Sequence, residues 1–299
     1  MKNIFLDSGA FSALTQDSAV DIDKYIDFIK QNKQHISIYA NLDVIGDANG
    51  SANEYTAQES LYNLKRMEDA GLSPLPAFHH GEPMSYLQYY VDKYNYIALG
   101  GMVGGSAADL RYWLDFCFSQ IICGYNGWPK LKVHGFGLTS LSLMKRYPWY
   151  SVDSGTWTFR GKLGEILIPL LKGTKWVYDD YLWIVGFTAN NSHRKTKRTG
   201  HYHNLNTKLK QNVDSYLKEL GFQVGVSEFK TVSKDYVLSE WEMWANKDRT
   251  QVEVIKEPGV CNQYKQRHEL NIRYFMELQK TFPPWPTQFK LRKKSCLFT

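Results

Sequence analysis

Two carboxylates in this sequence occupy matching settings. Asp153 closes the run Trp149-Tyr-Ser-Val and is followed by Ser154-Gly155; Asp7 closes Ile4-Phe-Leu and is followed by Ser8-Gly9. A short apolar run ending in an acid, a small residue and a glycine is how a buried parallel strand delivers one side chain to the mouth of a sheet or barrel. Two such carboxylates facing one another divide the roles of nucleophile and acid/base. Asp-Ser-Gly is also good turn chemistry. Its occurrence twice, each time closing a strand-like run, weighs toward a site.

Other strand-like runs end in residues of the same kind. His35-Ile-Ser-Ile-Tyr-Ala-Asn-Leu ends at Asp43, and Leu75-Pro-Ala-Phe runs into His79-His80-Gly81. Tyr96-Ile-Ala-Leu ends in Gly100-Gly101-Met102, and Leu131-Lys-Val runs into His134-Gly-Phe-Gly137. Between them lie helical patterns over 21–34, 53–70, 83–93, 107–122 and 140–146. The first places Ile22, Tyr25, Ile26 and Ile29 on one stripe, with acids in its first turn. Strand and helix in alternation predict a parallel sheet flanked by helices. No Gly-x-Gly-x-x-Gly opens a helix after the first strand, which counts against a dinucleotide fold. Reactive residues at six successive strand ends make a (β/α)8, TIM-barrel-like α/β fold the expectation. Six units are visible, so the remaining strands must come from the less regular second half, with Trp176–Phe187 the place to look. The expected division is a barrel-like catalytic core over 1–187 and a basic, mainly helical region over 188–299.

Length and composition set outer bounds. The chain has 299 residues, 43% hydrophobic and 22% charged, ordinary for a globular protein with a substantial core. Aromatic content is 15%, which serves base stacking and core packing equally and so decides nothing. Cys117, Cys123, Cys261 and Cys296 form no Cys-x-x-Cys pair and read as reduced thiols. With no secretory pattern at the start and no run approaching the ~18 apolar residues of a membrane span, a cytoplasmic protein is expected. The charge is uneven. Residues 1–162 carry 14 Lys+Arg against 16 Asp+Glu, and residues 163–299 carry 22 against 14. The run from His193 to Lys210 holds six Lys/Arg, three His and no acid. Arg194, Lys195, Lys197 and Arg198 within it are the expected contacts to a nucleic-acid backbone, with a solvated face as the plainer alternative.

The strand ends, taken in order, resemble the tRNA-guanine transglycosylase superfamily, and most closely the DNA 7-deazaguanine transglycosylases of phages and bacteria (DpdA type). The resemblance covers residues 4–165. In that family Asp-Ser-Gly-(Gly/Ala)-aromatic carries an acid/base Asp and a ring that stacks on the base, which here reads Asp7-Ser-Gly-Ala-Phe11. The acid that recognises the guanine edge matches Asp43. A Gly-Gly-Leu backbone contact is similar to Gly100-Gly101-Met102, and a Met-Gly-Val-Gly strand to His134-Gly-Phe-Gly137. The nucleophilic Asp falls on Asp153. Where the family has Gln-Gly-Gly this chain has His80-Gly81, and the zinc site of the tRNA enzymes is missing, since Cys261, His268 and Cys296 do not rebuild it.

The resemblance implies exchange of guanine for a 7-deazaguanine, such as 7-cyano-7-deazaguanine, in DNA through a covalent Asp153–glycosyl ester. The free base is co-substrate, DNA or RNA is the partner, and no metal or other cofactor is implied. Phe11 on one face, with His134 or Met102 on the other, would sandwich the base, while Arg160 would reach a phosphate near C1′. Three alternatives remain: exchange in RNA, a metal-dependent TIM-barrel hydrolase using the same Asp and His residues, and a nucleic-acid binder on an inactive barrel. His79-His80 is a poor metal pair, because neighbours on a strand point to opposite faces. His201 and His203 lie in the basic segment and read as phosphate contacts or solvated loop.

Overall fold

A computed structural model describes residues 4–10, 12, 19–46, 52–138, 140–188 and 200–290 of the 299. The chain divides into two compact units, Met1–Ser154 with Pro284–Thr299, and Gly155–Pro283. The division falls directly after the second Asp-Ser, not at 187/188 as the sequence pattern led us to expect.

The first unit is a run of parallel strands with helices between them. Its strands are β1 (Ile4–Leu6), β2 (Ile36–Tyr39), β3 (Ala77–His79), β4 (Tyr96–Gly100), β5 (Lys132–Gly135) and β6 (Ser151–Val152). β1 pairs with β2, and β3-β4-β5-β6 form a second parallel ladder. A parallel bridge between Ala40 and Leu75 joins the two sets, so the spatial order follows the chain order. Helices α1 (Ile22–Gln31), α2 (Glu54–Asp69), α3 (Met84–Lys93), α4 (Ala107–Phe116) and α5 (Leu141–Arg146) fill the crossovers, with a π-helical turn over Cys117–Ile122 continuing α4. Their starts are set locally. Asp21 accepts from the amides of Asp23 and Lys24, Asn53 and Thr56 form a reciprocal capping box, and Ser106 accepts from the Asp109 amide. Leu64, Met67, Leu87, Ile97, Leu99 and Leu114 are fully buried, each stabilising the unit by roughly 1.5–3 kcal/mol relative to exposure.

The sheet is strongly curled. Four strand spacings separate β1 from β5, about 19 Å if the sheet were flat. Yet the rings of Phe5 and His134 stack with centroids 4.5 Å apart, and Phe5 meets Phe136 edge-on at 6.0 Å. Alternation along each strand therefore turns Phe5, Ala77, Tyr96, Ala98, His134 and Phe136 toward one concave face, where Leu75, Ala77 and Ala98 form a small core. Among the described residues no pairing closes β6 onto β1.

The second unit is less helical than expected. β7 (Glu165–Ile168) pairs antiparallel with β10 (Trp183–Gly186), β8 (Leu170–Lys172) with β9 (Lys175–Val177), and β13 (Gln251–Glu257) lies between β11 (Val226–Thr231) and β12 (Glu242–Trp244). In this region, expected as mainly helical, residues 239–245 contain β12 paired to β13, and its Glu242 side chain takes Lys230 Nζ and Tyr236 Oη. Helices α6 (Thr156–Lys162), α7 (Thr207–Glu219) and α8 (Tyr264–Lys280) complete the unit. Asn271 of α8 accepts from the Leu167 amide and donates to the carbonyls of Trp157 and Glu165, tying that helix to β7. Among the described residues no helix is long and apolar enough to cross a membrane.

Candidate active site

The carboxyl ends of the parallel strands in the first unit bring three acids together. Asp7 follows β1 directly, Asp153 follows β6, and Asp43 lies four residues beyond β2. Asp43 is placed by the loop it ends. Asn41 spans from the Ala77 amide to the Ser60 carbonyl, and Asn63 of α2 donates to the Leu42 carbonyl. The Val44 amide donates to Ser60 Oγ. With the backbone held on both sides, the Asp43 carboxylate is buried.

A buried carboxylate needs partners, and Asp43 has two. Ser8 donates its hydroxyl to Asp43 Oδ1 at 2.7 Å, and His79 Nε2 meets Oδ2 at 2.9 Å. His79 in turn sets Nδ1 3.3 Å from Glu82 Oε1 and donates its backbone N–H to Glu82 Oε2 at 2.9 Å. An imidazole thus lies between two buried carboxylates. Burial alone would lower its pKa, but the hydrogen bonds and charges of Asp43 and Glu82 outweigh it and push the value up to about 10. Burial likewise favours a neutral Asp43, and the His79 and Ser8 contacts overturn it, holding Asp43 below the ordinary carboxylate range. Gly100, paired with His79 across β3 and β4, makes room for the ring: a Cβ there would stand 2.5 Å from His79 Cδ2.

Asp7 and Asp153 remain open to solvent. Asp7 accepts from the Ser8 amide at 2.8 Å, yet its pKa is raised, first by burial and then by the charges of Asp43 and Asp153. Asp153 is gripped on one oxygen only. Gly137, with φ of +63°, turns its N–H onto Asp153 Oδ1 at 2.7 Å, leaving Oδ2 without a hydrogen-bond partner among the described residues. The result is one carboxyl whose pKa is raised and one carboxylate with a single oxygen held by a backbone amide, both beside a buried ionic cluster.

The other expected site residues fall as follows. His80 lies on the convex face, exposed, with its ring 4.9 Å from Trp113 of α4; the strand pleat turns His79 inward instead. Gly101 has φ of +73° and Met102 is buried behind it. His134 is 2% exposed, stacked on Phe5 and met edge-on by Phe136 at 4.7 Å, so the ring offers an edge and not an open face for stacking. Arg160, in the second unit, donates to Glu165 Oε2 at 2.9 Å, where the sequence had it reaching a phosphate. In the same unit His201 is buried, with Nε2 3.1 Å from the Thr188 carbonyl and Nδ1 accepting from the His203 amide. Phe11, Arg194, Lys195, Lys197 and Arg198 lie outside the described residues. Glu82 and Ser151 were not singled out in the sequence, and Ser8 and His79 figured there only as a motif residue and a poor metal ligand. Among the described residues no group of three or more His, Cys, Asp and Glu side chains could hold a metal ion.

No protein-family model, no curated protein and no solved structure matches this chain.

Proposed function

We propose that the first unit exchanges guanine for a 7-deazaguanine in a nucleic acid, DNA being the preferred substrate, and that its curled parallel sheet is part of a TIM-barrel-like catalytic core. The observation that carries this reading is the unequal trio of carboxylates at the strand ends. Asp7 is shifted toward the protonated form by burial and by Asp43 and Asp153. Asp153 has one oxygen on the Gly137 amide and the other without a hydrogen-bond partner among the described residues. Base exchange needs such a division. Asp153 Oδ2 forms a bond to C1′ as the C1′–N9 bond breaks, and the electron pair leaves with guanine. Asp7 gives its proton to the departing base. The incoming deazaguanine then loses its N9 proton to Asp7 as N9 bonds to C1′ and the Asp153 ester breaks, which restores both acids. Each Asp43 oxygen keeps one lone pair beyond its bond to Ser8 or His79, enough to accept from the N1–H and amino group of a guanine edge. Within a duplex the target nucleotide must be flipped or unpaired to reach such a site.

The test is incubation of the protein with guanine-containing DNA, and separately with tRNA, in the presence of 7-cyano-7-deazaguanine, followed by mass spectrometry of the digested nucleosides. A deazaguanine deoxynucleoside formed by the wild type and lost in Asp153→Asn is the expected result. Product in tRNA alone keeps the mechanism and replaces the substrate. Product in neither overturns the exchange reaction.

A further inference from the structure

The concave face carries one polar atom that the exchange mechanism does not use. His134 Nε2 is buried and has no hydrogen-bond partner among the described residues, and Asp153 Oδ1 lies 3.8 Å from it. That separation is too long for a hydrogen bond but short for a dipole facing a charge. The other edge of the ring is engaged: Nδ1 lies 2.7 Å from Ser151 Oγ, and Ser151 Oγ lies 2.6 Å from the Tyr96 hydroxyl. The three side chains come from β5, β6 and β4, with β5 paired to both others, and His134 and Ser151 are register partners.

The bonding possibilities of this chain are few. A neutral imidazole carries a proton on one nitrogen and a lone pair on the other. When Tyr96 donates to Ser151 Oγ, the Ser151 hydroxyl is directed to donate to Nδ1, and the imidazole proton is then on Nε2. That tautomer faces Asp153 with an N–H. The opposite tautomer would face a carboxylate oxygen with a lone pair, which is repulsive. Stacking on Phe5 and the edge contact with Phe136 hold the ring in its plane, so it cannot turn to relieve such a clash. The charged groups facing the ring are Asp153 at the end of β6 and Asp7 at the end of β1.

We propose that Tyr96, Ser151 and His134 form a relay that fixes the Nε2–H tautomer of His134 and points it at Asp153 Oδ1, making His134 a positioning residue for the Asp153 carboxylate. With the Gly137 amide on the same oxygen, the relay confines negative charge on Oδ1 and aims Oδ2. Its role in turnover rests on the base-exchange reading, but the relay itself can be measured without substrate.

Two measurements on the whole chain separate the two. First, 15N–1H correlation spectra of histidine-labelled protein report the tautomer. The wild type should show the Nε2–H form of His134. Ser151→Ala should leave a mixture of tautomers, because nothing then holds the proton off Nδ1. Tyr96→Phe should do the same to a smaller degree. A wild-type Nδ1–H form, or a tautomer unchanged in Ser151→Ala, overturns the relay. Second, in the exchange assay Ser151→Ala should lower kcat by about tenfold, as loss of a group that orients a working side chain does elsewhere, with KM for the free base nearly unchanged. A rise in KM alone would make the serine a binding residue and overturn the positioning role. If the spectra behave as expected while no exchange occurs in any protein, the relay stands and the reaction assigned to Asp153 falls.

Discussion

The buried trio Asp43–His79–Glu82 makes a prediction about stability with a definite sign. His79 ordinarily titrates near 6.5; here, against the pull of burial, the hydrogen bonds and charges of its two carboxylates hold it protonated up to about 10. In the unfolded chain the imidazole loses its proton near 6.5, while the folded chain keeps it. Between these values unfolding releases one proton, so raising pH favours the unfolded state by about 1.4 kcal/mol per unit. The contribution is complete below about 6.5 and gone above about 10. Its ceiling is about 5 kcal/mol by the same conversion, divided between two partners. Asp43 meets the ring at 2.9 Å and Glu82 at 3.3 Å, so Glu82 supplies the lesser part, about 2 kcal/mol, in the range of a charge-assisted hydrogen bond.

Glu82→Gln isolates that part, because the amide keeps the volume and removes the charge, its single oxygen accepting from either the ring or the His79 amide. Urea unfolding of wild type and variant at half-unit steps from pH 6 to 10 gives the gap between them. Other titrating groups cancel in that difference. The pH-dependent part of the gap should be about 2 kcal/mol up to pH 7, narrow once the variant imidazole has lost its proton, and vanish by about pH 10. A gap constant across the range would mean that His79 is neutral in the folded protein, and the ionic account of Asp43 would fail with it.

Two further outcomes bear on the same site. Asp153→Asn removes one of the charges that raise Asp7, so the Asp7 midpoint, followed by 13C NMR, should fall in the variant; an unchanged midpoint would mean that the two carboxylates do not face each other. Gly100→Ala sets a Cβ against a His79 ring that two carboxylates hold in place, and should cost about 1–3 kcal/mol as overpacking does, read as a lower urea midpoint for the variant than for the wild type.

How much of this could be read in the sequence divides along physical lines. A strand of a parallel sheet is a short apolar run, and an acid soon after it stands out, so Asp7 and Asp153 are visible at strand ends, and Asp43 shortly past one, without a structure. Strand phase is harder. At His79-His80 one residue of offset decides which ring enters the site, and the apolar run Leu75–Phe78 gives no alternation to fix it. The phase is settled by pairing, where His79 sits opposite Gly100, and by Phe78 packing near Trp113. Seen that way, Gly100 serves the imidazole beside it, a reason for glycine that differs from backbone approach to a ligand.

Residues that act by meeting across the curled sheet leave no local trace at all. Tyr96, Ser151 and His134 are each unremarkable in their own runs; only a sheet curved enough to stack Phe5 on His134 explains why the His134 faces are covered and its edge turned to Asp153. The second unit is harder to read for a related reason. Antiparallel strands such as Gln251–Glu257 mix Val and Ile with charged residues, and a helix and a half-exposed strand compete for such composition until a partner strand decides. The site's charge pattern follows from the same geometry. Three carboxylates near the strand ends repel one another, and the fold answers unevenly: an imidazolium and a serine hydroxyl for Asp43, and one backbone amide each for Asp153 and Asp7. Burial and the charges of Asp43 and Asp153 raise the pKa of Asp7, while His79 and Ser8 hold that of Asp43 down, and such an inequality is what acid/base chemistry at this mouth would require.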